Sequence, residues 1–164
     1  MQTSHPILWD LSLSPYVRKV IAALEEKNLN YTLKETLPIA LLKATGKPID
    51  LSFSNASPLG KIPALQDGTT SVADSAVIAQ FIDKKYSQGT SLYPSDPKAL
   101  AKTLWFEQYS DNILSSVAYS KIFIEKIIKP NVLNISTDES IVSHAIESEL
   151  LKCIKYYWEL LYQI

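Results

Sequence analysis

Three short segments of the chain carry residue types that could bind a ligand or activate it. The first is residues 13–19, Leu-Ser-Pro-Tyr-Val-Arg-Lys. Pro15 suits the first position of a helix, and Ser14 just before it is a favoured N-cap. Because the first N–H groups of a helix lack intrahelical acceptors and the helix dipole is positive there, this position stabilises an anion. Ser14 could therefore donate a hydrogen bond to a ligand thiolate and lower the pKa of that thiol, or it could serve only as the helix cap.

The second segment is residues 57–65, Ser-Pro-Leu-Gly-Lys-Ile-Pro-Ala-Leu. A proline that leads into a strand usually marks a turn or the edge of a sheet. If the bond before Pro63 is cis, which is the minority form of any X–Pro bond, the N–H and C=O of Ile62 point outward. A peptide-like ligand could then pair with Ile62 as an additional strand.

The third segment is residues 73–75, Ala-Asp-Ser, which precedes a helical pattern. Asp74 and Ser75 could simply be a pair of capping residues. Alternatively, the N–H and hydroxyl of Ser75 could hold a ligand carboxylate at the helix terminus, while Asp74 meets a ligand ammonium.

The hydrophobic pattern predicts the elements that position the first segment. Residues 6–9 are a short apolar run typical of a strand, and a helix follows from Pro15 to near Asn28 with Val17, Val20, Ile21 and Leu24 on its apolar face. A second strand at residues 31–35 completes a βαβ unit, whose strands are parallel. Residues 38–47 could form a helix, and the serine-rich stretch 52–57 is predicted to be irregular.

A hairpin and a further helix are predicted to position the other two segments. Strands at residues 62–66 and 69–73 flank Asp67-Gly68, the strongest hairpin signal in the chain. Asp74 or Ser75 caps the next helix, whose apolar stripe is Ala76, Ile78, Ile82 and Phe81. The order βαβ-ββα fits a small sheet of four strands.

The rest of the chain has a helical pattern throughout. Residues 87–96 contain Gly89 and Pro94 and are predicted to be a linker. Asp96 caps a long helix that Pro97 begins and that Lys129-Pro130 ends or kinks. The S-x-x-E pattern of residues 136–139 predicts a capping box for the last helix. That helix stays apolar to the last residue, which suggests that its partners are missing or that another chain covers it.

Composition excludes several classes of protein. Sixteen basic and 17 acidic residues give a net charge of −1, which disfavours a nucleic-acid binder. Cys153 is the single cysteine, so the chain is not a disulfide scaffold, and the distance in sequence between His5 and His144 disfavours a metal site. No apolar run approaches the ~18 residues of a membrane span, and residues 1–6 lack the features of a signal peptide. A cytoplasmic protein is the expectation.

The order and spacing of the three segments resemble the glutathione transferase family. Ser-Pro-Tyr after the first strand, Gly-Lys-Ile-Pro before the hairpin and Asp-Ser after it match the thioredoxin-like glutathione-binding domain over residues 7–86. Leu92-Tyr93-Pro94 and the helix with Trp105, Glu107 and Asp111 resemble the start of the family's all-helical domain. The chain looks most similar to bacterial members and to the serine-type theta and tau classes.

The resemblance implies a role for each candidate residue. Ser14 matches the catalytic serine that activates the glutathione thiol. Ile62, before a cis Pro63, would pair with the cysteinyl backbone of glutathione, and Lys61 could approach the glycyl carboxylate. Asp74 and Ser75 match the pair that binds the γ-glutamyl end. The hydrophobic electrophile would lie between the domains, against Leu13, Tyr16, Tyr109 and Ile113.

The resemblance also implies an organisation and a function. Residues 1–86 would form the α/β thioredoxin-like domain, residues 87–96 the linker, and residues 97–164 a partial all-helical domain, because family members usually run further. The expected activity is conjugation of glutathione, the co-substrate, to a hydrophobic electrophile by a homodimer without a metal. The alternatives are a non-catalytic binding or interaction module and a truncated remnant; a glutaredoxin-like oxidoreductase is disfavoured because the first helix has no cysteine.

Overall fold

The computed structural model describes residues 5–163, and the strands in this range form one sheet. The four strands are β1 (Ile7–Asp10), β2 (Thr32–Glu35), β3 (Ala64–Asp67) and β4 (Thr70–Ala73). Their order in the sheet is β2-β1-β3-β4. The first pair, β1 and β2, is parallel, whereas β1 with β3 and β3 with β4 are antiparallel. The predicted βαβ unit and hairpin are therefore confirmed.

The hairpin differs from the prediction by its register. Strand β3 begins at Ala64, since Pro63 has no N–H to give to the ladder. Asp67 was predicted to lie in the turn, but it stays in the ladder opposite Thr70. The turn centres one residue later, at Gly68, whose φ of +61° suits a glycine.

Two helices, α1 (Pro15–Glu26) and α4 (Ser75–Lys85), pack against each other and supply much of the core. Each fully buried aliphatic side chain in such a core contributes roughly 1.5–3 kcal/mol. Phe81 and Ile21, which were predicted to face the core, are only half-buried. The buried apolar residues are Val17, Val20, Ala23 and Leu24 of α1, and Ala76, Ile78, Ala79 and Ile82 of α4.

A buried ion pair joins these two helices. Lys27 Nζ, at the C-terminal end of α1, lies 2.8 Å from Asp83 Oδ1 of α4, and both side chains are almost completely buried. Asp83 also accepts hydrogen bonds from the Ser91 hydroxyl and from the N–H groups of Leu92 and Tyr93. Burial alone would raise the pKa of Asp83, but Lys27 and these other donors together lower it.

The prediction that residues 52–57 are irregular is wrong. Residues there form a short helix, α3 (Leu51–Ala56), which follows α2 (Ile39–Ala44). Asp50 is the N-cap of α3 and accepts a hydrogen bond from the Ser52 N–H at 2.7 Å. Phe53 is fully buried, and its ring centroid lies 6.2 Å from that of Trp9. Packing of Phe53 on β1 therefore stabilises a helix that the serine content disfavours.

The chain divides into two compact units between Tyr93 and Pro94. The first is the thioredoxin-like α/β unit and the second is all-helical, as predicted. The finer bounds of residues 1–86, 87–96 and 97–164 stay a prediction. Among residues 5–163, no helix has the length and apolar character that a membrane crossing requires.

The first helical run of the second unit is longer than predicted. Its first helix, α5 (Pro97–Gln108), is capped by Asp96 as predicted. A π-helical segment (Tyr109–Leu114), the single turn α6 (Ser115–Val117) and a second π-helical segment (Ala118–Leu133) then follow without a break. The helical turns continue through Pro130, so of the two predicted outcomes at Lys129-Pro130 the end of the helix is wrong, and a kink stays a prediction. The run ends where Asn134 adopts the left-handed conformation, φ +55°.

The second helical run begins later than predicted. Asp138, not Ser136, is the N-cap, and its Oδ1 accepts from the N–H groups of Ser140 and Ile141. Glu125 fixes this position, because its Oε2 accepts a hydrogen bond from the Asp138 N–H at 2.9 Å. The run consists of α7 (Glu139–His144), a π-helical segment (Ala145–Leu150) and α8 (Leu151–Gln163).

Candidate functional site

Strand pairing brings the three predicted segments to one end of the sheet. Trp9 near the end of β1 pairs with Ala64, the first residue of β3, and Ala64 pairs with Ala73, the last residue of β4. Adjacent strands lie about 4.8 Å apart. The loop after β1, the residues before β3 and the residues after β4 are therefore neighbours. This common end of β1, β3 and β4 is the candidate site.

Ser14 lies in the loop after β1, directly before α1. It has the extended conformation of an N-cap, φ −72° and ψ 125°, and it is buried. Its backbone N–H donates to the Leu11 carbonyl at 2.7 Å, and its carbonyl accepts from the Arg18 N–H at 3.0 Å. Its side chain makes no capping hydrogen bond. The backbone of Ser14 therefore begins the helix, while its hydroxyl is not used to close it.

The residues before β3 have the geometry that the second segment suggested. The Ile62–Pro63 peptide bond is cis. Pro63 is buried, Ile62 is half-buried and Lys61 is exposed. None of the hydrogen bonds found among residues 5–163 uses the N–H of Ile62, since the paired part of β3 begins at Ala64. The Lys61 side chain is open to solvent, where it could meet a ligand carboxylate.

Asp74 and Ser75 lie at the other side of the same end, after β4. Asp74 caps α4: its Oδ1 accepts from the N–H of Ala76 at 2.9 Å and from that of Val77 at 3.2 Å. Both bonds use the same carboxylate oxygen. Asp74 has a φ of +81°, uncommon for a residue other than glycine. Ser75 is buried in the first turn of α4.

Asp10 is a residue of this end that sequence reasoning did not single out. It is the last residue of β1 and is 2% exposed, yet its Oδ2 is buried without a hydrogen-bond partner. Burial, followed by the charge of Glu35 directly across the strand pair, raises the pKa of Asp10. No local pattern distinguishes it, because burial of a carboxyl group depends on the packing around it.

Ser57 is a second residue of the site whose side chain the sequence did not assign. Its hydroxyl donates a hydrogen bond to the Lys61 carbonyl at 2.6 Å, and the residue is 1% exposed. The motif Ser-Pro-Leu-Gly-Lys contains both partners, but their contact requires the turn between them.

The predicted electrophile-binding residues fall in both units. Leu13 is exposed and Tyr16 half-buried in the first unit. In the second unit, Ile113 is exposed and Tyr109 is buried, with its hydroxyl donating to the Cys153 carbonyl at 3.0 Å. Burial and the contact with Cys153 raise the pKa of Tyr109.

An aromatic cluster surrounds Tyr109 within the second unit. Its ring stacks on Trp105 at a centroid distance of 5.2 Å and lies 5.8 Å from the rings of both Tyr156 and Tyr157. Tyr109 therefore packs as a core residue of its own unit, which is the role that its helical spacing suggests.

The chain matches known proteins over both units. Residues 8–90 match the family model of the glutathione S-transferase N-terminal domain. In sequence, the chain is 34% identical over 148 residues to a glutathione S-transferase of Hyoscyamus muticus, covering 89% of this chain and 66% of that protein. It is 31% identical over 151 residues to glutathione S-transferase 3 of Zea mays, covering 92% and 64%.

In structure, the chain is similar to glutathione S-transferase III in its apo form, with a TM-score of 0.75 and 28% sequence identity. That match covers 98% of this chain and 70% of the other. The chain thus spans about two thirds of the length of these relatives. A family model that covers half of the chain, together with a matching sheet and helical unit, shows that this protein belongs to the glutathione S-transferase family.

Proposed function

We propose that this chain binds glutathione at the common end of β1, β3 and β4 and activates its thiol for conjugation to a hydrophobic electrophile. Family membership supports a glutathione-binding transferase in general. The observation that carries the finer proposal is the Ser14 hydroxyl, which is buried at the start of α1 and makes no hydrogen bond to the helix it caps.

The peptide backbone of glutathione fits the backbone groups at this end. The cysteinyl part pairs with Ile62 as an extra strand, because the Ile62 N–H has no acceptor among the described residues. The γ-glutamyl end lies toward Asp74 and Ser75. Asp74 uses only Oδ1 for its cap, which leaves its other carboxylate oxygen for the ligand ammonium. The first turn of α4 stabilises the carboxylate of the γ-glutamyl end. Lys61 faces the glycyl carboxylate.

Activation of the thiol requires stabilisation of its anion. The start of α1 is the positive end of the helix dipole, and the Ser14 hydroxyl donates a hydrogen bond to the sulfur. A fall of two units in the pKa of the thiol requires only about 2.7 kcal/mol of preference for the thiolate. The thiol first loses its proton to solvent. The thiolate sulfur then attacks the electrophilic carbon and forms a C–S bond, and the bond from that carbon to its leaving group breaks, so that the leaving group departs with the electron pair, as chloride in the case of an aryl chloride. Electrophile contacts are assigned to Leu13, Tyr16, Tyr109 and Ile113.

The remaining features of the proposal follow from the resemblance. We assign the chain to the serine-type members, similar to bacterial, theta and tau proteins, although the two relatives described above are plant proteins. We propose a homodimer in the cytoplasm that uses no metal.

The test is glutathione binding by calorimetry on the full chain, followed by a conjugation assay with chlorodinitrobenzene. Saturable binding with conjugation supports the proposal. Binding without conjugation of this or other aromatic halides selects the alternative, a non-catalytic binding module. A folded chain that does not bind glutathione at millimolar concentration contradicts the proposal altogether.

A further inference from the structure

A buried serine holds the turn that precedes the Ile62 backbone. Ser57 follows α3 directly and is 1% exposed. Its hydroxyl donates to the Lys61 carbonyl at 2.6 Å, and its own carbonyl accepts from the Gly60 N–H at 2.8 Å. One residue therefore contacts the turn at two points, through its side chain and through its backbone.

The bond from Ser57 sets the direction of the next amide. In a trans peptide unit, the C=O of one residue and the N–H of the following residue point in opposite directions. Of the described bonds, only Ile62–Pro63 is cis, so the Lys61–Ile62 unit is trans. Because the Lys61 carbonyl points inward to the Ser57 hydroxyl, the Ile62 N–H points away from Ser57. This is the N–H that has no acceptor among residues 5–163.

Contacts with α2 hold the other side of the same turn. The Ile39 N–H donates to the Gly60 carbonyl at 2.8 Å. Gly60 has a φ of +63°, and a Cβ at this position would lie 2.8 Å from the Ile39 Cβ. A residue larger than glycine would therefore not fit here without displacing Ile39, and the turn lies close against α2. The Lys61 carbonyl itself is held by Ser57 alone among the hydrogen bonds of the described residues.

We propose that Ser57 is a positioning residue for glutathione: its hydroxyl fixes the Lys61–Ile62 peptide plane so that the Ile62 N–H meets the ligand backbone. The inference rests on the proposed function and adds a residue that does not touch the ligand. Without the hydroxyl, the Lys61 carbonyl loses its buried donor and the peptide plane is free to rotate. Binding then requires the plane to be ordered again.

The first test is Ser57→Ala in the full chain, with glutathione affinity measured by calorimetry. We expect the Kd for glutathione and the KM for glutathione to rise about tenfold, the size of effect for one lost buried hydrogen bond. We expect kcat at saturating glutathione and the KM for the electrophile to stay within twofold. Ser54→Ala, the same change one turn earlier in α3, is the matched control and should leave all four constants unchanged.

A second pair of variants keeps the test decisive if Ser57→Ala folds poorly. Ser57→Thr and Ser57→Val have nearly the same shape but differ in the hydroxyl group. The Thr variant should bind glutathione several times more tightly than the Val variant. Equal affinities for this pair, or a loss that appears in kcat rather than in glutathione affinity, would overturn the positioning role.

A spectroscopic readout separates this inference from the proposed function. Glutathione should shift the amide NMR signal of Ile62 in the wild-type chain, and the shift should be reduced in Ser57→Ala at equal saturation. If the wild type binds glutathione and Ser57→Ala shows the same affinity and the same shift, the positioning role is wrong and the proposed function is unaffected. If the wild type does not bind glutathione, both the positioning role and the proposed function are wrong.

Discussion

Two helices begin at the candidate site, but their first turns are closed in different ways. Asp74 closes α4 with its own side chain, through two hydrogen bonds to Oδ1. Ser14 begins α1 with its backbone alone, and its hydroxyl makes no bond to the helix. Both residue types are favoured N-caps, so residue type does not distinguish them. The difference indicates that the Asp74 side chain contributes to the stability of α4, whereas α1 does not use the Ser14 hydroxyl, which in our proposal donates to the ligand.

The largest effect is expected where the two helices are joined. Asp83→Ala should lower the free energy of unfolding by about 3–5 kcal/mol, because Lys27 would remain charged and buried without its partner. Urea unfolding measures the change. Lys126→Ala removes one partner of an exposed pair with a similar distance, 2.7 Å to Glu139, and should cost less than about 1 kcal/mol. Equal losses for the two variants would contradict the importance of burial.

The next largest effect is expected at the start of α1. Ser14→Ala should reduce kcat/KM for conjugation about 100-fold, as loss of one donor to a developing or bound anion does. The free energy of unfolding should change by less than about 0.5 kcal/mol, because no capping bond is lost. Ser12→Ala, an exposed serine in the same loop, is the control and should keep full activity. Destabilisation typical of a lost cap, with activity intact, would make Ser14 a structural residue only.

The corresponding change at α4 should have the opposite balance. Asp74→Ala should lower the free energy of unfolding by about 1 kcal/mol, since two N–H groups lose their acceptor. Asp74→Asn keeps a capping oxygen and tolerates positive φ, so its stability should stay within about 0.5 kcal/mol of the wild type. If Asp74 also binds the ligand ammonium, both variants weaken glutathione binding. An Asn variant with unchanged affinity would limit Asp74 to capping.

The smallest effect is the pH dependence of stability, which should differ in sign between two buried aspartates with opposite pKa shifts. Burial and the charge of Glu35 raise the pKa of Asp10, so its ionisation opposes folding at neutral pH, and this cost disappears as the pH falls below its unfolded pKa. Asp10→Asn should therefore raise the free energy of unfolding at pH 7 more than at about pH 3.

Asp83 has a lowered pKa, so its contribution to stability is present at neutral pH and is lost as the pH falls through the folded pKa. Asp83→Asn should show the reverse pH dependence in urea unfolding.

Local signals in the sequence were sufficient for much of the fold. Ser14-Pro15 and Asp96-Pro97 each predicted the start of a helix correctly, because capping and the fixed φ of proline act within a few residues. The parallel pairing of β1 with β2 followed from the length of the βαβ unit. Helix α3 was missed, since its stability depends on the packing of Phe53 against Trp9 and not on its serine-rich sequence.

The candidate site was predicted as three segments but not as a set of contacts. The sequence placed Ile62 and Asp74 near helix and strand ends, and pairing of Ala64 with Ala73 brings those ends together. The bond from Ser57 to Lys61 and the unpartnered oxygen of Asp10 could not be predicted. Both depend on side-chain burial, which requires the tertiary structure.

The hydrogen bonds that Asp83 accepts have a consequence for dissecting the protein. Residues 91–93 follow α4, which ends at Lys85, and these bonds attach them to that helix. A fragment that stops at Tyr86 would remove three donors and leave the Lys27–Asp83 pair open to water. The shortest fragment that folds by itself should therefore extend to Tyr93. Limited proteolysis should cut more readily in residues 87–90 than in residues 91–93.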